Sequence, residues 1–193
     1  MNKNNRKILL HICCAPCAVY PSKVLRDMKY DITGFFYNPN IHPYTEYKKR
    51  LDSVHIFSKE NKMHIEYLND YKIESYLRAV AYHETKRCPT CYYLRIFETA
   101  KMAKKLGLEF FTTTLLYSTY QQHETIKEIG KKIAKQLKLK FIYEDFRKGW
   151  TEGIKGSKEM GLYRQNYCGC IYSERDRYMN DIKELNSENA VKQ

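Results

Sequence analysis

No apolar run in this sequence approaches the ~20 residues needed to cross a bilayer, which argues against an embedded helix. Internal repeats are also missing, as is any linker that would divide the chain, so solenoids and multidomain strings are set aside. Acidic residues are the scarce charge, 22 Asp plus Glu against 34 Lys plus Arg, a formal net charge of +12 over 193 residues. An excess of that sign suits a polyanionic partner. The 43% apolar content is enough for a core and excludes wholesale disorder, and the 18 tyrosines offer stacking or polar-tipped packing.

The N-terminus imitates a secretory leader, with Lys3, Arg6 and Lys7 ahead of an apolar stretch from Ile8 to Tyr20. No small-x-small cleavage site ends that stretch, and it carries His11, Pro16 and three cysteines. His11 and Ile12 precede the first cysteine where a lipoprotein signal needs small residues. We therefore expect a cytoplasmic protein without membrane attachment. Seven cysteines there serve better as metal ligands or redox groups than as structural disulfides.

Periodicity alternates strands with helices. Strands are expected at Lys7–Ile12, Asp31–Tyr37, His64–Leu68, Glu109–Leu116 and Phe141–Phe146. Helices are expected from Pro21 to Met28, Tyr44 to Glu60, Ile73 to Tyr82, Cys91 to Leu106 (stopped by Gly107), Gln121 to Lys138 and Ser173 to Leu185. The stretch between Phe146 and Cys170 reads as irregular, and Asn186–Gln193 as a frayed polar tail. The fold class implied is α/β: one domain over 7–185, a mostly parallel sheet with helices on both faces.

The cysteines fall into three groups: Cys13, Cys14 and Cys17; Cys88 and Cys91; Cys168 and Cys170. The first group follows the first strand, at the sheet edge where ligands gather. The second opens a helix, whose free N–H groups favour thiolates, beside Lys86 and Arg87. The residues alone leave several readings open. Cys14-Ala-Pro-Cys17 has thioredoxin-like spacing, and the two C-x-x-C pairs have the spacing of a four-thiolate zinc site. Adjacent Cys13 and Cys14 suit an iron–sulfur cluster, and plain buried thiols explain the clustering poorly. Cys168-Gly169-Cys170 would form a strained, easily reduced disulfide, or both thiolates would bind a metal.

Seven motifs, spread over about Lys7 to Arg177, carry a resemblance. They are His11-Ile-Cys-Cys-Ala-Pro-Cys17, Tyr37-Asn-Pro-Asn-Ile-His-Pro43, Glu46-Tyr47 with Arg50, Cys88-Pro-Thr-Cys-Tyr-Tyr-Leu-Arg95, Thr113-Thr-Leu-Leu116 with Gln121, Asp145-Phe-Arg-Lys-Gly149, and Tyr163-Arg-Gln-Asn-Tyr-Cys-Gly-Cys170. In this order they resemble the cobalamin-independent, QueH-type epoxyqueuosine reductase family. The one departure is Thr119, where a proline is expected, and it touches no chemistry.

The resemblance implies the Rossmann-like fold of adenine-nucleotide α-hydrolases, without their Ser-Gly-Gly-x-Asp-Ser phosphate loop and hence without ATP chemistry. It implies an oxidoreductase of queuosine biosynthesis that removes the epoxide oxygen from epoxyqueuosine at the wobble position of a tRNA anticodon. It also implies a 4Fe–4S cluster on Cys13, Cys14, Cys88 and Cys91. Cys168 and Cys170 would be a redox disulfide or ligands of an additional iron. The electron donor is unspecified.

Around this expectation, Asp145 is a candidate proton donor or metal ligand, or else a helix cap and Arg147 partner. His42 and His83 are further donor candidates, and His11 is expected to be a satisfied strand residue. Arg164, Arg147, Arg95 and Lys86 are candidate phosphate contacts, extended by a lysine stripe of Lys127, Lys131, Lys135 and Lys138. Tyr37, Tyr44, Tyr92 and Tyr167 are candidates for stacking on anticodon-loop bases. The rival classes are an iron–sulfur tRNA thiolation enzyme and a zinc-stabilised RNA-binding module.

Overall fold

A computed structural model describes residues 6–68 and 70–184. Five strands form one all-parallel sheet in the order β3-β2-β1-β4-β5: β1 (Arg6–His11), β2 (Tyr30–Phe36), β3 (Ile65–Tyr67), β4 (Phe110–Thr113) and β5 (Lys140–Phe141). β1 lies in the middle, and its Ile8, Leu9 and Leu10 are fully buried, as a strand covered on both faces requires.

The helices α1 (Ala15–Asp27), α2 (Tyr44–Glu60), α3 (Ile73–Val80), α4 (Arg87–Lys105), α5 (His123–Leu137) and α6 (Trp150–Glu159) pack around the sheet in two groups. α1 lies against α2 and α6, and α4 against α3 and α5. A short α7 (Ile171–Arg177) follows, interrupted at Tyr178 before 179–184 continue helically. No helix among the described residues is long and apolar enough to cross a membrane.

Several boundaries differ from expectation, and two of the differences move cysteines. α1 starts at Ala15 rather than Pro21, because Pro16 already sits in the first turn, where its missing N–H costs nothing. Cys17 thus becomes a first-turn residue, and Pro21 lies inside the helix. α4 starts at Arg87 rather than Cys91, so Cys88 too falls in a first turn. Gly107 ends that helix at φ +68, where a side chain would be strained.

The expected strand over Glu109–Leu116 pairs only through Thr113, then tightens into a 3₁₀ turn at Thr114–Tyr117. β5, expected to reach Phe146, is cut to two residues, paired only with Phe110 and Phe111 of β4, while β4 continues to Thr113 beside β1. α6 was not expected at all. Its glycines read as breakers, yet they are close-packing positions: a Cβ on Gly153 would meet the Tyr117 hydroxyl at 2.3 Å, and one on Gly156 would meet Val19 at 2.9 Å. α7 begins two residues before the expected Ser173. The expected frayed tail lies outside the described residues.

Candidate thiol-rich active site

β1 and β4 are neighbours, but their following crossovers lead to opposite edges of the sheet. A crevice therefore opens at their carboxyl ends, and Cys13, Cys14 and Cys17 line it. His11, the last residue of β1, is tied across to the last residue of β4 by Nδ1 to Thr113 Oγ1 at 2.8 Å, and its Nε2 reaches the Tyr37 carbonyl at 3.1 Å. Thr114 then anchors the cysteine turn, accepting from the Cys13 amide at 3.0 Å and donating its hydroxyl to Cys13 Sγ at 3.2 Å.

The sulfurs of Cys13, Cys14 and Cys17 all lie within 4.8 Å of one another, with Cys14 Sγ 2.8 Å from Cys17 Sγ. Hydrogen bonds from Cys14 and Cys17 pull the Cys13 thiol well below its ordinary pKa. Burial pushes Cys14 up, and hydrogen bonds with Cys13 and Cys14 push Cys17 up. Three sulfurs this close, at a helix N-terminus, could hold a soft metal ion. The Gln165 amide donates to Cys14 Sγ at 2.9 Å from the far side.

A second thiol group joins Cys88 and Cys91, on the first turns of α4, with Cys168 and Cys170. Cys91 and Cys170 are buried together with Tyr76 and Val80 of α3. Burial raises Cys88, and raises Cys91 to about 12, while the charges of Cys168 and Cys170 act on both in the same direction. Cys170 moves down: burial opposes its ionisation, but hydrogen bonds from Ser173, with the Tyr76 hydroxyl packed nearby, outweigh it. Cys168 is exposed at the mouth, with the Gln121 amide 3.5 Å from its sulfur. All seven cysteines are free thiols.

The Cys168–Cys170 loop is clamped by residues of two expected motifs. Arg50, 2% exposed, donates to the Cys168 carbonyl at 2.9 Å and the Tyr167 carbonyl at 3.0 Å. Glu46 fixes that guanidinium at 2.7 Å and accepts from the Tyr163 hydroxyl at 2.6 Å. The His42 amide donates to the Gly169 carbonyl, and the Ile171 amide donates to His42 Nδ1 at 3.1 Å. Gly169 itself, at φ +130, leaves no room for a side chain: a Cβ would stand 3.0 Å from Ile41 and 3.1 Å from Arg50.

Arg95 connects the two thiol groups. It is fully buried and its Nη2 has no hydrogen-bond partner; its Nε donates to the Cys91 carbonyl at 3.4 Å. Burial opposes its charge, but the neighbouring sulfurs of Cys91, Cys168 and Cys13 act the other way and favour the cation. A buried guanidinium without a carboxylate costs several kcal/mol, on the order of 3–5 when a pair is broken. Thiolate ligands of a bound metal centre would supply the missing anion. The donor set, all sulfur and backed by this cation, fits an iron–sulfur or other thiophilic centre.

Other expected site residues lie elsewhere or are otherwise engaged. Arg95 is too deep to touch a phosphate. Asp145 caps the 3₁₀ turn Phe146–Gly149 and pairs with Arg147 Nε at 2.8 Å, which holds its carboxyl at about 2. Arg147 is correspondingly committed. His42 is buried, and burial lowers it to about 4; His83 is exposed. His11 is a buried, bonded strand residue, as expected, and burial with the Arg95 charge lowers it to about 4.

Tyr92 is 2% exposed and accepts from the Gln122 amide, and the Tyr167 hydroxyl donates to the His42 carbonyl. Of the stacking candidates only Tyr44 is well exposed. Lys127 is taken by Glu124 at 3.1 Å, leaving Lys131 and Lys135 exposed on α5 and Lys138 exposed just past its end. Tyr76 and the buried role of Arg95 escaped the sequence reading, which left Cys17 without an assigned part in the cluster. The i,i+4 spacing of Cys91 with Arg95, and of Tyr76 with Val80, was the available signal.

Fold and site together define a parallel α/β protein with a thiol-lined crevice at its topological switch point, the mark of a metal- or redox-dependent enzyme. The family model for Epoxyqueuosine reductase QueH matches residues 8–176. The chain is 38% identical over 180 residues to Epoxyqueuosine reductase QueH of Thermotoga maritima, covering 88% of this chain and 91% of the relative. It is 34% identical over 172 residues to that of Dehalococcoides mccartyi, covering 89% and 94%. To that of Streptococcus pyogenes it is 34% identical over 180 residues, covering 87% and 70%. The chain belongs to the QueH family of epoxyqueuosine reductases, which are oxidoreductases.

Proposed function

We propose that this protein reduces epoxyqueuosine in the anticodon of a tRNA to queuosine, in the cytoplasm, using a 4Fe–4S cluster. The net change is epoxide plus two electrons and two protons to alkene plus water. The observation that carries the reading is the buried Arg95, flanked by thiols of all three cysteine groups and with no carboxylate partner among the described residues. Cys13, Cys14, Cys88 and Cys91 would hold the cluster, and Cys17, hydrogen-bonded to Cys14, is its closest spare thiol. When bound, such a cluster supplies single electrons from an external donor.

The remaining steps belong to the chain's own groups. Arg50, Glu46 and Gly169 fix Cys168 and Cys170 against the crevice, where we assign them to an additional iron; closing as a disulfide, releasing two electrons, is their competing role. Ser173 favours the ionised form of Cys170. Asp145, kept ionised by Arg147, is poorly suited to donate a proton and acts as the turn cap and Arg147 partner. Exposed Arg164 and Lys86 face the RNA phosphates.

Iron and sulfide analysis of anaerobically prepared wild type and Cys168→Ala tests these assignments. Iron beyond one cubane, lost in Cys168→Ala, supports the additional iron; equal iron in both supports the disulfide. A colourless zinc protein would eliminate the reductase reading.

A further inference from the structure

Tyr82 and Tyr120 stand apart from the other tyrosines. Their residues are 94% and 85% exposed, the highest among the exposed large apolar side chains of the described residues. Neither ring covers apolar surface, so packing explains neither. Their backbones, in contrast, are tied down. The Tyr120 amide donates to Ser118 Oγ at 3.2 Å, and the Gln121 amide donates to the Ser118 carbonyl. The Tyr82 amide donates to Glu84 Oε1 at 3.0 Å, and the His83 amide donates to the Val80 carbonyl at 3.0 Å.

Tyr82 also carries a backbone cost. Its φ is +62, a left-handed conformation that glycine or asparagine adopts cheaply and a bulky aromatic does not. An exposed aromatic kept at such a position points to use of the ring.

Both residues lie within two positions, in sequence, of contacts to the second thiol group. Tyr120 precedes Gln121, whose amide reaches Cys168 Sγ at 3.5 Å. Tyr82 follows by two residues Val80, which is buried with Cys91 and Cys170. Exposed Lys86 adds positive charge four residues beyond Tyr82, on a chain whose net charge is +12.

We propose that Tyr82 and Tyr120 are stacking residues that grip unpaired nucleobases of the RNA substrate beside the Cys168 mouth. This rests on the tRNA reading above and names the contacts that reading lacked, since Tyr92 and Tyr167 are packed or hydrogen-bonded inside. A flat ring on a fixed backbone accepts any base through its π-face and loses little freedom on binding.

The test measures tRNA affinity and steady-state kinetics for wild type, Tyr120→Ala, Tyr82→Asn and the Phe variant at each position. Asn suits the left-handed turn, so folding is preserved. Stacking predicts that Tyr120→Ala and Tyr82→Asn each weaken tRNA binding roughly fivefold to a hundredfold. KM should rise while kcat, metal content and visible absorbance stay at wild-type values. Affinity for a fully paired RNA duplex should not change, and the Phe variants should bind tRNA as wild type does.

Binding by Tyr120→Ala and Tyr82→Asn within about twofold of wild type would overturn the proposal, given ~1–3 kcal/mol per stacked base. Loss in the Phe variants equal to that in Ala and Asn would overturn it as well. If wild type itself fails to bind tRNA, the functional reading falls along with it; if only the variants are unaffected, that reading stands and the stacking role alone is lost.

Discussion

Arg95 shows how one side chain's burial changes its meaning. In sequence it is one of 34 basic residues and reads as a phosphate contact; in the fold it is 1% exposed with thiols around it. Arg95→Gln should therefore lower iron retention sharply and destabilise the loaded protein by about 3–5 kcal/mol, whereas Arg95→Lys should retain part of both. Iron content and thermal melts of the anaerobic variants check this; unchanged iron in Arg95→Gln would contradict it. Gly169 is the other position where one atom matters. Gly169→Ala forces a Cβ toward Ile41 and Arg50 and should cost about 1–3 kcal/mol of backbone strain and contact. Activity should fall more than cluster content, because Cys13, Cys14, Cys88 and Cys91 lie outside this loop.

At the scale of elements, α6 makes the clearest prediction. Gly153→Val would drive side-chain carbon into Tyr117, so we expect a loss of about 1–3 kcal/mol, read by urea denaturation, with RNA affinity retained by the folded fraction. A neutral result would mean that α6 is not seated where its glycines place it. The same helix shows why part of the fold was illegible. β1, β2 and α2 were legible because their apolar periods are long and turn residues bound them. α6 was not, since a glycine at a close helix contact looks like a breaker until its neighbour is known. β5 was overextended for a related reason: Ile142 and Tyr143 have strand character, but regular pairing with β4 stops at Phe111, which no local pattern marks. The site was legible as three cysteine groups. Their grouping into Cys13, Cys14 and Cys17 on one side and Cys88, Cys91, Cys168 and Cys170 on the other depends on where α1 and α4 begin, which boundary rules place poorly.

For the whole molecule, charge and buried histidines set the solution behaviour. His11 and His42 are held at about 4 by burial, against ~6.5 when unfolded. The unfolded chain thus binds more protons between these values. Their contribution is complete above about pH 6.5 and drains as pH falls toward 4, on the order of 2–3 kcal/mol for each. Asp145 adds a weaker loss lower down, as pH falls from about 4 toward 2. Thermal melts of the metal-free protein should fall steadily below about pH 6.5, and a flat profile down to about pH 4.5 would contradict this burial. The basic surface predicts tRNA affinity that falls with salt at a log–log slope of roughly −0.7 per phosphate neutralised; a salt-independent affinity would show that surface to be idle.

The most direct test of the thiol centre is anaerobic purification of wild type and Cys88→Ala, with iron and acid-labile sulfide measured beside turnover of epoxyqueuosine-containing tRNA. The account predicts a brown wild type that bleaches with dithionite and reduces the tRNA, and a Cys88→Ala protein that loses colour, sulfide and turnover together. A colourless wild type carrying zinc, or a Cys88→Ala variant that still turns over, would contradict it.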